Sequence, residues 1–163
     1  MKKVIIIRHA KSSWKYNVDD MHRPLRAIGV RNTIKICERF KEVSEISLKN
    51  VFSSPAKRAL DTCRIFVENY NSDDKIEIDV VDELYDFEGA KLHHFIKSIH
   101  DNLDTIFVFG HNNALTSFVN KYANVYVLNV PTSGLVILEF DIDKWADLRP
   151  GILKLKLFPK EIN

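Results

Sequence analysis

The sequence has few cysteines, which cross-link a fold, and few glycines and prolines, which interrupt its helices and strands. Its 163 residues include two cysteines, and neither Cys37 nor Cys63 has a second cysteine or a histidine at metal-ligand spacing. We therefore predict two buried free thiols rather than a disulfide or a zinc site. The five glycines and five prolines form no linker, repeat or low-complexity stretch, so we expect one continuous domain over residues 1–163.

Charge and hydropathy give no sign of a nucleic-acid or membrane partner. The formal net charge is +2, from 24 Lys and Arg against 22 Asp and Glu, which is too small for non-specific binding to nucleic acid or anionic lipid. No apolar run exceeds four residues, whereas a membrane-spanning helix needs about 20. No cleavable signal follows the Met1-Lys2-Lys3 start, so we expect a cytoplasmic protein.

The apolar residues that are present alternate between two spacings. Short β-branched or aromatic runs predict buried strands, and apolar residues at three- and four-residue steps predict amphipathic helices. The predicted strands cover 4–8, 50–53, 76–80, 105–109, 134–140 and 152–158. The predicted helices cover 27–43, 54–70, 89–103 and 114–123. This alternation favours a three-layer α/β/α sandwich, with a mostly parallel sheet of about six strands and an antiparallel strand near the C-terminal end.

Boundary signals are clearest for the second of these helices. Ser54-Pro55 supplies an N-cap followed by a proline at the first helical position. Asn71-Ser72-Asp73-Asp74 then ends the helix with turn-forming residues. Arg58 is therefore predicted to lie in the first turn of a helix that directly follows a buried strand.

Basic side chains stand at one edge of the predicted sheet. Arg8 and His9 follow the first strand, Arg58 follows the second, and His111 follows the strand that ends at residue 109. Sheets of this kind bind ligands at the carboxyl ends of their strands. Guanidiniums and a helix N-terminus suit a tetrahedral oxyanion, and a neutral imidazole serves as nucleophile or donor. The composition of this edge predicts a phosphate site and suggests phosphoryl transfer.

These residues fall in motifs that resemble the histidine phosphatase superfamily, which has a phosphoglycerate mutase-like fold. The first motif of that superfamily, Arg-His-Gly after strand one, appears here as Arg8-His9-Ala10. Between about residues 4 and 159 the chain resembles the SixA-like branch, the phosphohistidine phosphatases. The matching motifs are, in order, Ile7 to Trp14, Arg23-Pro24-Leu25 with Gly29, Ser53 to Ala59 with Thr62, Gly110-His111-Asn112, and Pro131 to Gly134. Five motifs at family spacing carry far more weight than any one of them.

The resemblance implies a phosphatase that works through a covalent phosphohistidine, with no metal and no other cofactor. It implies that His9 is the phosphorylated nucleophile. The residues implied to hold the phosphoryl oxygens are all basic: Arg8, Arg58, His111 and, as a further phosphate-facing arginine, Arg23.

The chemistry sets two requirements on the nucleophile. His9 must be neutral to attack phosphorus, and surrounding cations help to keep it so. Its second ring nitrogen needs a hydrogen-bond acceptor that fixes the tautomer. We expect the backbone near Ser12 or Ser13 to provide that acceptor.

The predicted general acid lies in the segment Asp82-Glu83-Leu84-Tyr85-Asp86. Larger members of the superfamily use an acidic residue there, and Glu83 is the candidate. The alternative is a solvated or capping carboxylate, because the SixA-like branch departs from the wider pattern in this segment. A phosphohistidine needs less help from such an acid, since its leaving imidazole can be protonated beforehand. Asp19-Asp20 is predicted to cap or solvate a turn, or to repel phosphate if it faces the site.

Three functions fit these observations. The first is removal of phosphate from a phosphohistidine on a signalling or phosphotransfer protein, the second is hydrolysis of a small phosphomonoester, and the third is an inactive phosphoprotein-binding module. Only 52 residues separate Arg58 from His111, and 52 follow His111, which leaves no room for the lid insertions of phosphoglycerate mutases. An open, shallow site favours the phosphorylated protein as partner, and we expect a monomer or a weak homodimer.

Overall fold

In the computed structural model, which describes residues 1–70, 73 and 75–162, six strands form one mixed sheet. The strands are β1 (Lys2–Arg8), β2 (Val51–Ser53), β3 (Ile78–Val80), β4 (Thr105–Gly110), β5 (Leu135–Phe140) and β6 (Ile152–Leu157). Their order across the sheet is β3-β2-β4-β1-β5-β6. All pairs among β1 to β4 are parallel, whereas β5 is antiparallel to both of its neighbours. The predicted mostly parallel sheet with an antiparallel strand is confirmed.

Helices cover both faces of this sheet. They are α1 (Ala27–Val43), α2 (Lys57–Tyr70), α3 (Ala90–Lys97) and α4 (Ala114–Tyr122). Side chains alternate along β1, so that Ile5 and Ile7 enter one core while Val4 and Ile6 enter the other. The first core also contains buried residues of α1 and α2, and the second contains those of α3 and α4. The three layers form the α/β/α sandwich expected from the sequence.

The boundaries of α1 and α4 agree with the sequence prediction, but α2 begins later than Ser54-Pro55. Its first backbone hydrogen bonds run from Ala59 and Leu60 to the carbonyl of Ala56. The hydroxyl of Ser54 accepts the N–H of Ala56 at 3.2 Å, outside the helix. The turn predicted at 71–74 lies outside the described residues, apart from Asp73.

Both α3 and β3 are shorter than their apolar patterns indicate. The helix predicted over 89–103 ends at Lys97, and the hydroxyl of Ser98, the C-cap residue, donates to the carbonyl of Phe95 at 2.7 Å. Ile99 still packs into the core, so the apolar spacing continues beyond the helix. The strand predicted from residue 76 starts at Ile78 and lies at the edge of the sheet.

Cys37 on α1 and Cys63 on α2 are buried in the same core, and both thiols are free, as predicted. Within the described ranges, no helix has the length and apolar character needed to cross a membrane.

Candidate active site

The parallel strands β1 and β4 end side by side, and this brings the two predicted histidines together. The N–H of His9 donates to the carbonyl of Gly110 at 3.1 Å. His111 directly follows that glycine, so the two imidazole rings lie 5.2 Å apart between centroids, at an angle of 52°. The sequence predicts a site at this edge of the sheet, and the structure brings His9 and His111 together there.

The loop after β1 is held by both helices of its face. The N–H of Ala10 donates to the hydroxyl of Thr62 on α2 at 2.9 Å. On α1, Gly29 approaches the loop so closely that a Cβ there would lie 2.5 Å from the carbonyl oxygen of Lys11. A glycine is required at this contact because any side chain would push the loop away. The loop therefore fixes the position of His9.

His9 is 7% exposed, and its two ring nitrogens differ in environment. Nδ1 lies 2.8 Å from the carbonyl oxygen of Ala10, which can only accept, so Nδ1 carries the proton and Nε2 is left with its lone pair. The prediction that the backbone near Ser12 or Ser13 provides this acceptor is wrong, because the acceptor is the carbonyl of Ala10. Burial, helped by the nearby guanidiniums, lowers the pKa of His9 to about 3. The imidazole is consequently neutral at physiological pH.

His111 is 1% exposed and is also neutral. Burial, then the neighbouring His9 and Arg58, lower the pKa of His111 to about 3. Its Nε2 is hydrogen-bonded to the hydroxyl of Ser54 at 2.8 Å, whereas Nδ1 is buried and has no partner among the described residues. If the Ser54 hydroxyl donates to Nε2, the proton of the ring is on Nδ1, which is then a donor without an acceptor.

Two arginine side chains, of which Arg58 is buried and Arg8 is half-buried, also have a buried N–H without a partner. Arg58 is 1% exposed, and Arg8 donates from Nη1 to the carbonyl of Val130 at 3.0 Å. The Nε atoms of both arginines are buried without a partner among the described residues. Burial and the charge of Arg58 lower the pKa of Arg8. Since an unpaired buried N–H costs about 1–3 kcal/mol, an oxyanion that accepts from these groups stabilises the site.

Arg23 joins the same cluster from the loop between β1 and α1. It is 7% exposed, its Nη1 donates to the hydroxyl of Ser12 at 2.7 Å, and its guanidinium lies 3.5 Å from the centroid of the Trp14 ring. Arg23 Nε donates to Asp20 Oδ1 at 3.2 Å, and Arg58 Nη2 donates to Asp20 Oδ2 at 2.9 Å. Asp20 therefore links Arg23 to Arg58.

Asp20 and Tyr85 are the site residues that the sequence did not identify as such. The sequence predicts that Asp20 caps or solvates a turn, or repels phosphate if it faces the site, and its carboxylate in fact faces the arginines. The hydroxyl of Tyr85 donates to Asp20 Oδ2 at 2.5 Å, and its ring lies 5.5 Å from that of His111. Phe87 completes this wall, 5.0 Å from the His111 ring. The acidic pair in the loop was the available signal for Asp20, and no pattern marks Tyr85.

Glu83 lies in a 3-10 turn, Asp82–Leu84, that precedes Tyr85. It is half-buried, and no hydrogen bond joins it to the basic cluster within the described part of the chain. A role for Glu83 as general acid stays a prediction.

Taken together, the site combines three guanidiniums, a neutral imidazole with a free Nε2 and a buried imidazole with an unpaired Nδ1. It can bind a tetrahedral dianion and present a nitrogen nucleophile to its central atom. Over the described ranges, no three His, Cys, Asp or Glu side chains are grouped so that they could hold a metal ion.

Comparisons with solved structures agree on the fold. The protein histidine phosphatase SixA in complex with tungstate superposes with a TM-score of 0.76 at 19% identity, over 98% of each chain. A protein of Agrobacterium tumefaciens assigned as phosphohistidine phosphatase SixA gives 0.75 at 20%, over 96% of this chain and 97% of its own. The alpha-ribazole phosphatase of Shigella flexneri gives 0.69 at 14%, over 94% and 95%. At these identities the likeness establishes the phosphoglycerate mutase-like fold.

A comparison of the sequence with curated proteins gave no match. The sequence profile of the histidine phosphatase superfamily (branch 1) matches residues 4–106, which is more than half of the chain and includes β1, α1, α2 and the loop that carries Arg23. The chain therefore belongs to the histidine phosphatase superfamily and is a hydrolase that acts on phosphoryl groups.

Proposed function

We propose that the chain removes the phosphoryl group from a phosphohistidine on a signalling or phosphotransfer protein, through a phosphohistidine formed at Nε2 of His9. One observation carries the proposal: the hydrogen bond from Nδ1 to the carbonyl of Ala10 leaves Nε2 of a neutral imidazole with its lone pair. That nitrogen lies among buried donors that have no other partner.

In the first half-reaction, Nε2 of His9 attacks phosphorus and the bond from phosphorus to the leaving imidazole breaks. The leaving nitrogen keeps the electron pair of the broken bond, and because the other nitrogen of the substrate ring is already protonated, the ring leaves as neutral imidazole. We assign the free donors of Arg8, Arg58 and His111 to the phosphoryl oxygens, with Arg23 as a further contact. Such preorganised donors stabilise the charge that develops in the transition state.

In the second half-reaction, water attacks the phosphorus on His9, the bond from phosphorus to Nε2 breaks, and inorganic phosphate leaves. The ring returns to its neutral state with Nδ1–H still bonded to Ala10. The guanidiniums supply the positive charge that a metal ion supplies in many phosphatases, and we propose a reaction without metal.

Exposed apolar side chains beside the site support a protein substrate. Trp14 is 78% exposed although its ring stacks on Arg23, and Phe87 is 42% exposed although it contacts His111. Tyr16 and Val18 in the loop with Trp14 are also exposed. Exposed apolar groups that cluster on a surface mark protein interaction sites, and Trp14 and Phe87 flank the phosphoryl site through their contacts with Arg23 and His111.

A small phosphomonoester is the second candidate, and a groove beside Arg8 favours it. The groove has a volume of about 550 Å³ and is lined also by Lys11, Ile28, Thr132 and Phe158. That volume is in the range of small-molecule sites, so the groove can take the organic part of such an ester.

The substitution Glu83→Gln separates the two substrates. We expect hydrolysis of a histidine-phosphorylated protein to stay within about threefold of the parent, because the leaving imidazole can be protonated beforehand. Hydrolysis of an aryl phosphate by the same variant should fall by about 100-fold if Glu83 protonates the leaving oxygen. Initial rates on both substrates, with Glu88→Gln as the matched exposed control, measure this difference.

Equal losses on both substrates would contradict the proposed preference, since they would mean that phosphohistidine also needs the carboxyl group. Turnover of aryl phosphate by the parent, with none of the phosphorylated protein, would favour the small ester.

A further inference from the structure

Asp20 places a carboxylate inside a site that is otherwise built for anions. Its Oδ2 accepts from Arg58 Nη2 at 2.9 Å and from the Tyr85 hydroxyl at 2.5 Å. Its Oδ1 accepts from Arg23 Nε at 3.2 Å, and its backbone carbonyl accepts from Arg58 Nη1 at 2.6 Å. Both Nη atoms of Arg58 are thus bonded to one residue, which holds them as a bound oxyanion would.

The carboxylate also sets the charge of the site. Burial raises the pKa of Asp20, but the hydrogen bonds from Tyr85 and Arg58 outweigh it and lower the pKa to about 2. Asp20 is therefore ionised at physiological pH. With both imidazoles neutral, its charge reduces the three positive charges of Arg8, Arg23 and Arg58 to a net +2, which matches one phosphoryl dianion.

We propose that Asp20 is a specificity-determining residue, an internal carboxylate that competes with anions for Arg58 and Arg23. It lowers the affinity of the site for inorganic phosphate, and it disfavours ligands that carry negative charge beyond one phosphoryl group. The inference deepens the proposed function and rests on it, because a phosphohistidine on a protein brings one phosphoryl group, whereas many small phosphorylated metabolites bring further anionic groups. Asp20 is 40% exposed, so its charge also faces the part of a ligand outside the pocket.

The substitution Asp20→Asn removes the charge while keeping an oxygen that accepts from Arg58. We expect it to bind inorganic phosphate about tenfold more tightly, because a like charge a few ångströms from the anion is removed. Pyrophosphate, which carries more charge, should gain more than phosphate. Isothermal titration calorimetry at fixed ionic strength measures both affinities without any turnover.

Asp19→Asn is the matched control, because Asp19 is exposed and pairs with His22 rather than with the arginines. It should bind phosphate as the parent does. Asp20→Glu retains the charge, so it should lack the gain in phosphate affinity expected of the neutral variants. Asp20→Ser, with the same expected direction as Asp20→Asn, provides a second neutral variant. Thermal unfolding confirms that each variant is folded.

Equal or weaker phosphate binding by the folded neutral variants would overturn the proposal, since Asp20 would then only position the arginines. An equal gain for phosphate and pyrophosphate would overturn the claim about polyanions. Neither result bears on the proposed function, which fails separately if the parent does not hydrolyse a histidine-phosphorylated protein.

Discussion

His9→Asn should lower the rate of hydrolysis of an activated aryl phosphate, measured in excess EDTA, by at least about 1,000-fold. The amide is polar and fits within the space of the imidazole, but it has no nitrogen lone pair that can form a bond to phosphorus. The buried donors that remain still bind the substrate, so the loss should appear in kcat rather than in KM. Turnover by the parent should not change with the chelator.

His94→Asn is the matched control for this variant, because His94 is exposed on α3. It should retain the full rate of the parent. Turnover that survives in folded His9→Asn would contradict the assignment of His9 as the nucleophile, and loss of parental turnover in EDTA would contradict a reaction without metal.

Arg58→Ala should lower kcat/KM by at least about 100-fold, the usual cost of deleting one preorganised donor to transition-state oxygens. The substitution removes the unpaired Nε–H and one positive charge, and it leaves the Asp20 carboxylate without one of its hydrogen-bonded cations. The negative charge of Asp20 then opposes the phosphoryl group. Steady-state kinetics on the aryl phosphate measure the combined effect.

Arg64→Ala provides the control for Arg58→Ala, since Arg64 lies on the same helix with a 62% exposed side chain. Its substitution should leave kcat/KM unchanged. A loss of less than about tenfold in folded Arg58→Ala would contradict the role of Arg58, because other groups would then suffice to neutralise the phosphoryl oxygens.

The sheet and its functional edge could be predicted because their signals are local and repeated. Buried strands such as β1 and β4 carry uninterrupted apolar runs, and parallel strands place their carboxyl ends together. This rule alone predicted that His9 and His111 lie at the same edge of the sheet, but it did not predict that β1 and β4 are neighbours. The antiparallel β5 followed from the absence of a helix between it and β6.

Contacts made by irregular segments could not be predicted in this way. The bonds between Asp20 and Arg58 join residues 38 positions apart, and the loop that carries Asp20 has no periodic pattern. The acceptor for His9 depends on how the loop turns against Gly29, a backbone detail that side-chain identities do not encode. The end of α3 could not be predicted from apolar spacing, because that spacing continues to Ile99, which packs into the core beyond the helix.

Direct detection of the phosphoenzyme tests the central claim of a covalent phosphohistidine. The parent protein is mixed with a histidine-phosphorylated protein carrying labelled phosphate, quenched in alkali within milliseconds, digested and mapped by mass spectrometry. We expect labelled phosphate on the peptide that contains His9, stable in alkali and lost in acid, and none on the corresponding peptide of His9→Asn. Label on another residue, or turnover with no labelled enzyme at any time point, would contradict that claim.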